Sequence, residues 1–307
     1  MIPLLLPWLL FLLLLISLLF FLCNEWLASG ILLSITMVVN WWVKCIPFRA
    51  ISLSNHHQTD KLRFMTFNIN SNFSDVTVNI QGIASFIKLC SPDAVFICEL
   101  SDSNRDRLDS FLGNEYLYSK FDDGVPHGFY SKYPIGNWQV IEKDSHIKGS
   151  CSCRINVGGK MIALYGCHFA SNNYNEDQQY FTPKKIKNYN SLKEYLRNIL
   201  TASAQRAIEA QIVSSFIQKE RIPVIVMGDF NDVCGSRTMY ELEKAGLKNA
   251  WWESGVGYGA TIHYPLPYRI DHILHSNKIK LLDIKKINIK YLSDHDALIA
   301  EFENLGD

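Results

Sequence analysis

Six short polar signatures, each closing an apolar run, carry the groups in this 307-residue chain that can do chemistry. They are Met65-Thr66-Phe67-Asn68, Ile97-Cys98-Glu99, Tyr165-Gly166-Cys167-His168, Met227-Gly228-Asp229-Phe230-Asn231, Arg269-Ile270-Asp271-His272 and Ser293-Asp294-His295. An apolar strand that stops at a carboxylate, amide or imidazole presents that group at a sheet rim, where polar atoms from several strands converge on one ligand. Together these group types imply metal-dependent hydrolysis of a phosphoester.

That reaction has three requirements. Charge on the phosphate must be neutralised, a water must become nucleophilic, and the departing alkoxide must be helped away. Mg²⁺, or Mn²⁺ on the same donors, meets the first, because a hard cation takes oxygen ligands and holds substrate phosphate while retaining waters. Glu99 is the strongest ligand candidate, with Asn68 and Asp294 beside it. A glutamate after a strand, taken alone, reads as a solvated side chain; the other signatures give it company. The nucleophile needs a base that titrates near working pH, which histidine supplies when a carboxylate fixes its tautomer. His295 paired with Asp271 takes that role, the two being expected on adjacent closing strands. Asp229 would hold the attacking water or a metal, the Asn231 amide would donate to a non-bridging oxygen, and His168 would contact the other oxygen or assist the leaving group.

The elements that must position these groups show in the hydrophobic patterning. Lys61 to Asn68 alternates as a half-buried strand, and Ala94 to Cys98 reads as a buried one. Ile80 to Leu89 has helical spacing. Gly128 to Pro134, Ser152 to Val157, Met161 to Tyr165 and Pro223 to Met227 add short strands, with Ile270 to Leu274 and Ala297 to Phe302 closing the set. Ser171 to Pro183 reads as a polar loop, and Lys185 to Gln218 as one long helix or two successive ones. Ser236 is a suitable N-cap for a helix ending at Ala245. Strands at both ends with helices between predict an α/β domain of two packed sheets rather than a helical or barrel architecture.

Hydrophobic residues make up 48% of the chain, ample for a core, but they are unevenly spread. Ile2 to Leu22 contains no charge, and in Leu27 to Val43 the only strongly polar side chain is Asn40. A helix needs roughly 20 apolar residues to cross a ~30 Å hydrocarbon core, so the first run is long enough and the second marginal. A cleaved secretory signal calls for a basic start and a shorter apolar core, whereas no Lys or Arg precedes Lys44. One or two N-terminal transmembrane helices are therefore expected, most simply a hairpin turning at Asn24 and Glu25, with Trp41, Trp42 and Lys44 at the second interface. This divides the chain into a membrane anchor over 1–45, a linker over 46–60 and a catalytic domain over 61–307, with the lipid bilayer as partner through residues 2–43. Lys44, Arg49, Lys61 and Arg63 favour a cytoplasmic domain by the positive-inside rule. They are few, and the short start Met1-Ile2-Pro3 leaves room for a further span upstream, so the membrane side stays open.

Basic and acidic residues balance at 30 each. Tight, sequence-independent binding to duplex DNA usually shows a basic excess or stripe. Only Lys184, Lys185, Lys187 and Lys193 cluster, and they read as a solvated helix face. The eight cysteines show neither zinc-ligand spacing nor a small secreted framework. Cys98 and Cys167 read as buried thiols, and Cys151 and Cys153 as neighbours on one strand face.

The six motifs, in this order and rough spacing, resemble those of the endonuclease/exonuclease/phosphatase superfamily, which includes pancreatic-type deoxyribonucleases, abasic-site endonucleases, neutral sphingomyelinases and inositol polyphosphate phosphatases. The resemblance spans residues 61 to 304. It implies a four-layer sandwich, two mixed β-sheets flanked by helices, with the site at the top of the sheets. It also implies that Asn68, Glu99 and Asp294 bind the divalent metal, that Asp229 and Asn231 handle nucleophile and transition state, that Asp271 and His295 supply the base, and that His168 contacts phosphate. Abasic-site enzymes carry asparagine where His168 stands, so this chain looks more like the deoxyribonuclease and sphingomyelinase branches. The arginine that follows the aspartate in inositol phosphatases is missing after Asp271. Taken with the anchor, the arrangement resembles membrane-tethered bacterial members, which implies the bacterial inner membrane.

The expected substrate is a phosphoester, either a phospholipid or a nucleic acid, and no obligate protein partner is expected. A non-catalytic membrane scaffold of the same fold is the rival reading, but a binding module has no need of all seven of Asn68, Glu99, Asp229, Asn231, Asp271, Asp294 and His295. Among other residues, Trp251 and Trp252 are expected to pack, Tyr130 and Tyr133 to pack a hairpin, His263 and His272 to be structural, and His56 and His57 to be solvent-exposed.

Overall fold

The computed structural model describes residues 2–47, 61–70, 79–122, 125–143, 149–172, 189–263, 266–289 and 291–304. Most of the expected 46–60 linker, the 173–183 part of the polar loop, His56, His57, Lys184, Lys185 and Lys187 lie outside the described residues. Lys193 is exposed on its helix, as a solvated face requires.

The N-terminal runs form helices α1 (Ile2–Leu22) and α2 (Trp26–Val43), both long and apolar enough to cross a membrane. They fold back on each other through Asn24, whose φ of 65° suits the tight turn. Small polar residues stitch them together: the Ser17 hydroxyl donates to the Ser29 carbonyl at 3.0 Å, and the Ser29 hydroxyl returns the bond at 2.9 Å. Asn40 has a specific use. Its amide donates to the Ile46 carbonyl at 2.7 Å while its oxygen accepts from the Ile46 N–H at 2.9 Å, fastening the chain where it leaves α2. The exit is consequently ordered through Pro47, which is buried, so the first two residues of the expected linker belong to the packed junction.

The remaining elements are β1 (Lys61–Asn68), α3 (Ile80–Cys90), β2 (Ala94–Cys98), α4 (Asp102–Leu112), β3 (Tyr118–Phe121), β4 (His127–Ser131), β5 (Ile135–Lys143), β6 (Gly149–Val157) and β7 (Lys160–His168). They continue with α5 (Tyr189–Ile217), β8 (Val224–Asp229), α6 (Arg237–Lys244), β9 (Leu247–Asn249), α7 (Ala250–Ser254), β10 (Asp271–Ser276), β11 (Leu281–Ile287) and β12 (Ala297–Glu303). The strands make two six-stranded mixed sheets, β11-β12-β1-β2-β4-β3 and β5-β6-β7-β8-β10-β9. Each contains one parallel pair, β1 with β2 and β7 with β8, joined by crossovers through α3 and α5.

Alternation along the central strands builds the layers. Phe96 and Cys98 of β2, with Leu164 of β7 and Ile225 and Met227 of β8, fill the core between the sheets. Val95 and Ile97 face the other way onto Ile83 and Ile87 of α3 and Leu108 and Leu112 of α4. Tyr165, Cys167 and Val226 face Ala210 and Val213 of α5 and Leu242 of α6. The result is the four-layer sandwich that the motifs imply, helices outside and sheets inside. Gly166 sets the sheet spacing, since a Cβ there would lie 2.1 Å from the Phe96 ring.

Elements not visible in the patterning are mostly polar or marginal. α4 buries only Leu108 and Leu112, and β5 and β11 are edge strands with register irregularities. Two expectations change. Tyr130 does sit in the β3–β4 hairpin, its hydroxyl donating to Asp109 at 2.6 Å, but Tyr133 lies where the chain passes from one sheet to the other. His295 and Asp271 are not on adjacent strands: Asp271 opens β10 in one sheet, and His295 precedes β12 in the other.

Candidate active site

Parallel strands end on the same rim of a sheet, and here both parallel pairs end together. Asn68 closes β1, Glu99 follows β2, His168 closes β7 and Asp229 closes β8. Glu99 and Asn231 have left-handed backbones, with φ of 59° and 50°. Such conformations cost a non-glycine residue on the order of 1–3 kcal/mol and concentrate at functional sites. Gly228 has φ of 147°, and a Cβ there would lie 1.9 Å from the Cys167 carbonyl, so only glycine lets β8 approach β7 one residue before Asp229.

Asn68 lies at the centre. Its Nδ2 donates to Glu99 Oε1 at 3.1 Å and to Asp229 Oδ2 at 3.0 Å, while its Oδ1 accepts from the Asn70 N–H. The amide nitrogen therefore faces the carboxylates; a half-turn of the amide presents its oxygen instead. His168 Nε2 stands 3.4 Å from Glu99 Oε1 and 3.9 Å from Asp229 Oδ2. Asn231 supports Asp229 through its N–H, which donates to Oδ1 at 2.8 Å, and its Nδ2 donates to the Phe169 carbonyl at 2.9 Å.

His295 Nδ1 donates to Asp271 Oδ2 at 2.9 Å, which leaves Nε2 turned towards Asp229 Oδ2, 4.0 Å away. The pair is held from both sides. Thr261 Oγ1 accepts from the N–H groups of Ile270 and Asp271, and Ser293 Oγ accepts from the His295 N–H while donating to the Asn68 carbonyl at 2.7 Å.

Crowding of carboxylates shapes the electrostatics. Burial first, and then the Asp271 carboxylate, push Asp229 up to about 7 against the opposing effects of His295 and the hydrogen bonds from Asn231 and Asn68. Burial alone would lower His295, but the carboxylates of Asp271, Asp229 and Asp294 outweigh it and hold the imidazole well above its ordinary value. Glu99, His168 and Asp229 each offer a donor atom, all within 4.8 Å of one another, and Asp229, Asp271 and His295 form a second such group. Two carboxylates converging on a neutral amide form an oxygen-rich set that fits a hard divalent cation, whose charge relieves their mutual repulsion. Asp294 is exposed and belongs to neither group; its Oδ1 lies 3.4 Å from Ser293 Oγ, whose proton goes to the Asn68 carbonyl.

Sequence patterning passed over the residues behind this rim. Asp232, buried one residue beyond Asn231, accepts from Arg206 Nε at 3.2 Å and Thr238 Oγ1 at 2.7 Å, and Arg206 Nη1 also donates to the Ala170 carbonyl. This ties α5 to the loops that follow His168 and Asp229. His272 turns away from the rim, its Nε2 donating to the Asp232 carbonyl at 2.9 Å. His263 pairs with Asp296. His127 is buried against Phe96 and His168, and among the described residues neither ring nitrogen has a hydrogen-bond partner. Of the residues passed over, Arg206, Thr238, His127 and Asp232, only Asp232 carries a signal, as an acidic residue directly after the Asp229 motif; His263 and His272 are expected from the sequence to be structural.

The Endonuclease/Exonuclease/phosphatase family profile matches residues 65–295. Solved structures similar to this chain include D. rerio TDP2 humanized by 14 mutations, with TM-score 0.61 and 18% identity, covering 80% of this chain and 99% of that one. An endonuclease/exonuclease/phosphatase from Beutenbergia cavernae has TM-score 0.59 and 16% identity, with 80% and 72% covered. Sphingomyelinase C from Streptomyces griseocarneus has TM-score 0.53 and 17% identity, with 80% and 100% covered. At these identities the likeness establishes the fold alone. No curated protein matches the chain. The family match covers more than half of the chain and takes in every rim residue from Asn68 to His295, so the chain belongs to the Endonuclease/Exonuclease/phosphatase family.

Proposed function

We propose that this chain is a membrane-anchored phosphoesterase that depends on a divalent cation, Mg²⁺ by its oxygen donors, with Mn²⁺ as a substitute. One observation carries the reading: donor atoms of Glu99, His168 and Asp229 within 4.8 Å of one another, faced by a histidine whose tautomer Asp271 fixes. Glu99, Asp229 and Asn68 would hold the cation, which when bound neutralises phosphate charge and stabilises the transition state. Asp229 orients the attacking water, and His295 Nε2 takes its proton once the cation's charge offsets the carboxylates that otherwise keep the ring protonated, Nδ1 being committed to Asp271. His168 and the Asn231 amide steady the phosphate oxygens. Asp294 acts on His295 through its charge and serves as an outlying ligand candidate.

Residues 1–45 form the anchor and 61–307 the catalytic domain, in a bacterial inner membrane on this reading. Substrate candidates come from both sides of the family: D. rerio TDP2 occurs with a single-strand DNA product, and another neighbour is a sphingomyelinase. The test uses the full chain in detergent with a soluble aryl phosphodiester. Turnover that needs Mg²⁺, stops on chelation and vanishes in His295→Ala is expected; unchanged turnover in that variant refutes the assignment.

A further inference from the structure

The anchor is seated on the catalytic rim of the sandwich. β8 ends at Asp229, and the loop leaving it reaches the hairpin at Cys234, which is buried with Leu10 of α1 and Cys45 at the exit of α2. Gly235 follows, so close to α2 that a Cβ there would lie 3.0 Å from Val43 Cβ. β10 starts at Asp271, and the residues leading into it touch the same hairpin. The Tyr268 ring packs edge-on against Trp8 with centroids 6.4 Å apart, and Arg269 Nη2 donates to the Cys45 carbonyl at 3.2 Å.

Arg269 is the pivot of the contact. It is fully buried, its Nη1 donates to the Tyr258 carbonyl at 2.7 Å, and its guanidinium lies over the Trp251 and Tyr258 rings. A chain spans at most ~3.5 Å per residue, so Asp271 stands within about 7 Å of Arg269, backbone to backbone. Lys44 adds an ion pair to Glu243 of α6 at 2.7 Å.

In a bilayer spanned by the hairpin, these contacts would hold the rim close to the membrane surface. Trp41 and Trp42 are exposed at the end of α2, and aromatic rings with a neighbouring lysine mark the headgroup layer. Cys45, one residue past Lys44, already touches Arg269, so in such a bilayer the rim would stand close to the headgroup layer. The junction also carries a half-open cleft of about 620 Å³ lined by Trp42, Lys44, Gly235, Arg237 and Tyr240, a size that admits a small amphiphile.

We propose that the catalytic centre hydrolyses phosphoesters of lipids in the bilayer that holds its own hairpin, because the hairpin docks on the rim carrying Asp229 and Asp271. This rests on the hydrolytic reading above. In the step, the water oxygen bonds to phosphorus, one ester P–O bond breaks, His295 takes the water proton and releases it to solvent, and the leaving alkoxide takes a proton from solvent to become an alcohol. Diester plus water thus gives phosphomonoester plus alcohol.

The full chain is reconstituted with Mg²⁺ into vesicles of phosphatidylethanolamine and phosphatidylglycerol. Protein-free vesicles of the same lipids carrying a distinguishable label, single- and double-stranded DNA, and a soluble aryl phosphodiester are offered alongside. Lipid in the enzyme's own vesicles should be consumed at least roughly tenfold faster than lipid in the protein-free ones, because tethering raises its effective concentration. It should also outpace DNA. Hydrolysis of the soluble ester and of DNA, with lipid untouched, overturns the lipid assignment and leaves the hydrolase reading standing. Failure on every substrate, the soluble ester included, overturns the hydrolase reading as well. Docking is checked apart from activity by a bifunctional thiol reagent on Trp8→Cys/Tyr268→Cys in the same vesicles. A cross-link that peptide mapping assigns to positions 8 and 268 supports the seating, and its absence overturns it.

Discussion

His295 and Asp271 meet across the two sheets: the 2.9 Å bond from His295 Nδ1 to Asp271 Oδ2 joins a residue leading into β12 of one sheet to the first residue of β10 in the other. The proposed base is therefore assembled by the packing of the sandwich rather than by either sheet alone.

Asp271→Asn keeps the shape of this contact but lets the amide donate to Nδ1, which moves the ring proton to Nε2 and removes the acceptor. The turnover number should fall by roughly 10²–10⁴ with little change in KM. Steady-state kinetics on a soluble phosphodiester, alongside a thermal melt to verify folding, measures it.

Glu99→Gln removes one of the carboxylates that face Asn68. Mg²⁺ affinity should fall by at least about 10- to 100-fold, read by calorimetric titration. The parent chain should melt higher with saturating Mg²⁺, since a ligand that binds only the folded state stabilises it. The variant should lose that increment.

Gly166→Ala places a methyl 2.1 Å from the Phe96 ring in the core between the sheets. Overpacking there should destabilise by about 1–3 kcal/mol, read from urea midpoints. Phe96→Leu in the same chain should recover part of the loss.

His127 and His272 are both lowered to about 3 from an ordinary 6.5, His127 by burial, His272 by burial and then the Arg269 charge. Unfolded, each takes up a proton near 6.5, so the unfolded chain binds more protons between those values. Their contribution is present in full above pH 6.5 and is lost as pH falls towards 3, by up to about 1.4 kcal/mol per pH unit for each. His127→Phe should flatten the dependence between pH 6.5 and 5 and, by removing two buried nitrogens that have no partner among the described residues, should not destabilise at neutral pH.

The rim was legible because each of its groups ends an apolar strand, a local pattern that the types of Asn68, Glu99, His168 and Asp229 already announce. Ser236 likewise was readable as the cap of α6, where its hydroxyl accepts from the Met239 N–H. What patterning does not carry is the pairing of distant pieces. Nothing near Asp271 says that its partner approaches from the opposite sheet, and nothing near Thr261 says that it will hold the Ile270 and Asp271 amides. Arg206 and Asp232 join in the same unreadable way, through the packing of α5 on its sheet. Edge strands such as β5 escape notice because, among the described residues, one side has no neighbouring strand to keep their alternation strict.

The parallel-pair arrangement has a mechanical corollary. Glu99 comes from one slab of the sandwich and Asp229 from the other, and Asn68 bridges them. An ion seated among them would act as a rivet through both plates. Phe96 lying against Gly166, a few residues beneath, works as the shim that gauges their gap. Slippage of one plate over the other spreads the donors before it disturbs either sheet, so loosening of the seam should show first as a weakened grip on the ion.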